Sequence, residues 1–68
     1  MDYNYEISVS DQFDIVRTVK GHFKESGEAV DFIYELINNG IEAERINIEA
    51  CKSGNVIKAS ELMVGFNH

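Results

Sequence analysis

Tyr3, Tyr5, Ile7 and Val9 alternate with Asn4, Glu6, Ser8 and Ser10 at the start of the chain. A period of two sends apolar and polar side chains to opposite faces of an extended backbone, so this stretch is expected to be a strand with one buried face. Ser10, Asp11 and Gln12 break the pattern with turn-forming residues, and a second apolar stretch starts at Phe13. Two readings fit residues 13–23. As a strand, Phe13, Ile15, Val19 and Phe23 share one face with Arg17 and Gly21, while Asp14, Val16, Thr18, Lys20 and His22 take the other. As a helix capped by Ser10, residues Phe13, Val16, Val19, Lys20 and Phe23 form a looser stripe. The strand is preferred, because Ile15, Val16, Thr18 and Val19 are β-branched and Gly21 lies in the interior.

The period changes after Ser26. Ala29, Phe32, Ile33, Leu36 and Ile37 follow i, i+3, i+4, i+7 and i+8, which gathers them into one apolar stripe of a helix over about 27–39. Ser26 is expected to cap its first free N–H groups, and Glu28 and Asp31 place negative charge at the positive end of the helix dipole. Gly40 can adopt the left-handed conformation that stops the helix, with Ile41 returning to touch Leu36. From Arg45 to Cys51 the alternation resumes, with Ile46, Ile48 and Ala50 on one side. Lys52-Ser53-Gly54-Asn55 reads as a hairpin loop and Val56 to Val64 as the returning strand. In that return Ile57 and Ala59 keep one parity and Leu62, Val64 and Phe66 the other. Either a bulge near Ser60-Glu61 or a single helical turn over Ser60 to Met63 would reconcile them.

The simplest assembly is a small α+β domain of order ββαββ: a four-stranded antiparallel sheet with the 27–39 helix packed on one face. A helical 13–23 would make it β-α-α-β-β. The uncovered sheet face would carry Asn4, Glu6, Ser8, Val16, Thr18, Lys20, His22, Arg45, Asn47 and Glu49, polar enough to be solvated. With no proline, repeat or linker, residues 1–68 are read as one domain.

Composition narrows this picture. A domain of 68 residues buries only about 60% of the surface its unfolded chain exposes, so its stability is modest and a homodimer would help it. The single Cys51 has no internal disulfide partner, and one cysteine with two scattered histidines makes no zinc set. Asp2 and Glu6 stand where a signal peptide would be basic, and no apolar run is long enough to span a membrane. A cytoplasmic protein without membrane contact is the expectation. Twelve acidic against six basic residues give a net charge of −6, which argues against general nucleic-acid binding and for a basic partner.

Catalytic chemistry finds little support. His22 has no serine, cysteine or acid placed beside it by sequence, and reads as an exposed strand histidine. Cys51 has only Lys52 to lower its pKa. Glu42 and Glu44 supply too few ligands for a metal, and Ser53-Gly54-Asn55 lacks the spacing of a phosphate loop. No cofactor is implied, and the chain is read as a non-enzyme.

Two charge patterns remain. Glu28, Asp31, Glu35 and Asn38 fall on the outer face of the helix with no basic residue among them, and Glu42 and Glu44 continue the sign beyond its end. Such a face is ordinarily just solvated. Its single sign supports an acidic ridge that engages a basic surface on another protein. The expectation is therefore a small acidic interaction module, a regulator or inhibitor of phage or mobile-element type that occupies a basic site on a larger partner. The alternative is a basic patch of Arg17, Lys20, His22 and Lys24 on an open sheet face that contacts nucleic acid, or a homodimeric structural module. Tyr3 and Tyr5 share the parity of the core residues, which counts against base stacking.

Overall fold

The structure, a computed structural model, describes residues 3–64, and for Met63 and Val64 the backbone alone. Two antiparallel hairpins build one sheet. β1 (Tyr5–Ser10) and β2 (Arg17–Phe23) form the first, and β3 (Ile46–Ala50) and β4 (Asn55–Lys58) the second. The order β2-β1-β3-β4 puts β1 and β3 side by side in the middle and leaves β2 and β4 as edges. Helix α1 (Ser26–Asn38) connects the hairpins. This is the α+β arrangement that the alternation implies, with two additions to ββαββ: a 3-10 turn, Ala43–Arg45, before β3 and a second helix, α2 (Ala59–Val64), after β4.

The core lies between the sheet and the helices. Ile7, Val9, Ile46 and Ile48 from the central strands meet Ala29 and Ile33 of α1 and Ala59 of α2, with Phe23, Phe32, Leu36, Ile37 and Leu62 packed around them. The return strand expected over Val56 to Val64 therefore ends at Lys58, and the helical turn wins over the bulge. Ala59 and Leu62 are three apart, so a helix presents both to the core where a strand would have separated them. Phe66 falls outside the described residues.

Both ends of α1 are fastened. Glu25, not Ser26, is the N-cap, and its backbone N–H donates to the Glu28 carboxylate at 3.3 Å. An acid three residues beyond the N-cap satisfies a donor that the helix leaves free, the second half of a capping box. At the other end Gly40 has φ +95°, Gly40 N–H donates to Ile37 O at 3.0 Å, and Ile41 N–H to Leu36 O at 3.1 Å. These are the two bonds of a Schellman stop, as the Gly40-Ile41 pair implies.

The first hairpin corrects the sequence reading most. Pairing begins only at Arg17, so residues 11–16 are a loop, and Phe13 and Ile15 lie outside the sheet. Further along, Ile7 pairs with Gly21 but Ser8 pairs with Val19, which leaves Lys20 as the extra residue of a β-bulge. Residues paired across antiparallel strands share a face, so the bulge reverses parity. Phe23, Gly21 and Thr18 face the helix, while His22, Val19 and Arg17 face away. The open face is also less wet than expected. Ser8, Ser10 and Asn47 are buried at its centre, and Asn47 Nδ2 donates to Ser10 Oγ at 2.9 Å. Arg45, expected in β3, sits in the 3-10 turn and donates from Nε to the Ser10 carbonyl at 2.8 Å.

Candidate functional site

The outer face of α1 is built by the same period that builds its inner face. Ala29 and Ile33 point into the core, which turns Glu28, Asp31 and Glu35 outward, and all three are exposed. Among the described residues the ion pairs are His22–Glu6 and Lys58–Asp14, and neither involves a helix acid. The last turn of α1 holds no basic residue. The structure thus presents three exposed carboxylates with no counter-charge among the described residues. Glu28 alone has a second task, at the capping position.

Glu42 and Glu44 are placed elsewhere. Glu42 precedes the 3-10 turn and Glu44 lies in it, and both line an open polar cleft of about 660 Å³ at one end of the sheet. The other walls are Ser10, Asp11, Gln12 and Asp14 from the first hairpin, and Arg45, Lys58 and Ser60. Lys58 Nζ lies 3.5 Å from Asp14 Oδ1. The Ser10 hydroxyl, and after it the Lys58 ammonium, hold the Asp14 carboxyl below its usual range. The two acids read as an extension of the helix ridge thus share a cleft with Asp11 and Asp14.

Beside this cleft stands the largest apolar exposure among the described residues. Phe13 is 69% exposed, Ile15 78% and Val16 58%, all in the loop that joins β1 to β2. Asp11 organises that loop. Its carboxylate accepts the N–H groups of Phe13 (3.1 Å) and Ile15 (2.8 Å), its carbonyl accepts that of Asp14 (3.0 Å), and its own N–H donates to Val16 O (2.9 Å). Asp14 has φ +58°, a left-handed conformation uncommon outside glycine but tolerated by Asp and Asn. A side chain that bonds the backbone two residues on is the signature of an Asx-turn. Sequence reasoning missed this site because Phe13, Ile15 and Val19 imitate strand alternation; Asp11 before them was the available signal.

The basic patch is only partly assembled. Arg17 and His22 share the open face, Lys20 is the bulged residue and Lys24 follows the strand. All four are exposed. His22 does have an acid beside it, which the sequence order concealed: Glu6 pairs with it across the hairpin, and Glu6 Oε1 lies 3.1 Å from His22 Nε2. Tyr3, expected at the core edge, lies before β1 begins, and its ring packs on His22 with centroids 4.0 Å apart. Glu49 pairs with Glu6 on the same face, so acids interrupt the basic surface.

Among the described residues no group of His, Cys, Asp and Glu side chains is placed to hold a metal ion, and no helix is long and apolar enough to cross a membrane. Cys51 is half-buried in the turn between β3 and β4. Comparison of the chain with protein-family models, with curated proteins and with solved structures finds no match.

Proposed function

We propose that this protein is a non-enzymatic interaction module, a small regulator or inhibitor that occupies a basic site on a larger protein. The observation that carries the reading is the outward row of Glu28, Asp31 and Glu35, exposed and without a counter-charge among the described residues. Asp31 and Glu35 are like charges four residues apart on one helix face, which costs the helix stability that binding to Lys and Arg would offset. The net charge of −6 adds long-range attraction to such a partner and makes the association rate fall with salt.

The test compares partner capture by the native chain with that of an Asp31→Lys/Glu35→Lys variant, Glu28→Gln being added separately because Gln preserves the capping box. Loss of the partner without a fall in unfolding temperature supports the reading. Recovery of the same partners by the doubly reversed chain rejects it.

A second reading, nucleic-acid contact through Arg17, Lys20 and Lys24, gains one observation, the Tyr3 ring packed on His22 at the end of the open face. Aromatic rings on a sheet are stacking platforms for single-stranded bases. Glu6 and Glu49 on the same surface weigh against it. Titration of labelled single- and double-stranded RNA and DNA at low salt decides, since counterion release makes any such binding strongest there.

A further inference from the structure

We infer that the loop between β1 and β2 is an anchor: Phe13 and Ile15 insert into an apolar pocket whose rim is basic, on a protein partner. The inference rests on the reading above for the class of partner and adds the place where contact is centred. Exposed apolar side chains scattered singly need no explanation, but Phe13, Ile15 and Val16 lie within four residues of one another in one exposed loop. Four hydrogen bonds through Asp11 brace that loop, and Lys58 reaches Asp14 at 3.5 Å. A loop ordered before binding loses little entropy on binding, which is how rigid apolar anchors gain affinity.

The rim chemistry follows from the cleft beside the loop. On this side of the loop Asp11, Asp14, Glu42 and Glu44 outnumber Arg45 and Lys58. Asp14 is paired with Lys58 and Arg45 donates to the Ser10 carbonyl, so Glu42 and Glu44 carry the remaining charge, while Arg17 and Lys20 adjoin Val16 on the other side. Lys or Arg around the pocket complements the remaining charge. A second copy of this chain is the poorer occupant. Loop against loop would oppose the carboxylates of Asp11 and Asp14 to their own copies. A pocket that surrounds the loop gains more from each side chain than a flat contact does. Anionic lipid is opposed by the four acids on the cleft side of the loop.

The experiment places a photo-crosslinking side chain at position 16 of the full chain, where Val16 is exposed beside both anchor residues, in its native cell and identifies both the adduct and the crosslinked peptide. The expected adduct is a protein whose crosslinked segment is apolar and flanked by Lys or Arg, with its yield reduced by about 30-fold or more when Phe13→Ser is added. An adduct with a second copy, with lipid or with nucleic acid overturns the inference, as does no adduct, or one indifferent to Phe13→Ser. Both side chains are exposed, so an unchanged unfolding temperature of Phe13→Ser confirms that loss of the adduct is not loss of fold. Asp31→Lys/Glu35→Lys in the same assay separates the two surfaces. If it keeps the partner and Phe13→Ser/Ile15→Ser loses it, the anchor stands and the helix face does not; the opposite pattern removes the anchor alone.

Discussion

Gly21 shows how far one residue can constrain this sheet. A Cβ built there would lie 3.0 Å from the ring of Phe23, which in turn packs on Phe32 with centroids 5.1 Å apart. The glycine leaves the space in which the Phe23 ring folds back over the strand. Gly21→Val should therefore cost about 1–3 kcal/mol by overpacking, read from urea unfolding. Ile33, almost fully buried at the centre of α1, lies on the opposite side of the ledger, and Ile33→Ala should cost roughly 2–5 kcal/mol. Asp14 makes a different kind of contribution. Its carboxyl is held below the usual range by Ser10 and Lys58, so its ionised form favours the folded state above the ordinary carboxylate pKa. That contribution disappears as pH falls through the lower, folded-state value. The unfolding temperatures of the native chain and Asp14→Asn, which keeps the left-handed backbone, should converge on acidification below about pH 4.

At the scale of elements, α1 carries both the most legible structure and, on the proposed reading, the sharpest conflict between stability and use. Its apolar stripe and its Gly40-Ile41 stop are local patterns, and the structure keeps both. Gly40→Ala should cost about 1–2 kcal/mol, because φ +95° is left-handed backbone. Glu35 is a poor choice for stability: it stands in the last turn, where the dipole favours a cation, and four residues from Asp31. Glu35→Lys should raise stability by about 0.3–1 kcal/mol in urea unfolding while weakening partner binding. A residue whose replacement stabilises the fold and harms binding is held there by function. The first hairpin was the least legible element. Phe13, Ile15 and Val19 alternate as a strand would, yet pairing starts at Arg17 and reverses parity at Lys20. Alternation records only spacing along the chain; which amides find a partner depends on β1, across the hairpin.

For the molecule as a whole, β1 is the member on which the rest is assembled. It is hydrogen-bonded to β2 on one side and β3 on the other, and it supplies Ile7 and Val9 to the core. Native-state hydrogen exchange should be slowest in β1 and β3 and faster along the outer edge of β2, since edge amides open without loss of the core. By itself the sequence determined the α+β class, the first strand, the extent of α1 to within a residue and its closure, and the outward direction of Glu28, Asp31 and Glu35. Each follows from periods and caps that act over a few residues. The tertiary structure decided what depends on pairing across the chain. It placed Glu42 and Glu44 with Asp11 and Asp14 and set Glu6 beside His22. It lifted Tyr3 out of the core and Phe13 and Ile15 out of the sheet. In each case the determining neighbour is remote in sequence, and only the register of one strand against another brings it near.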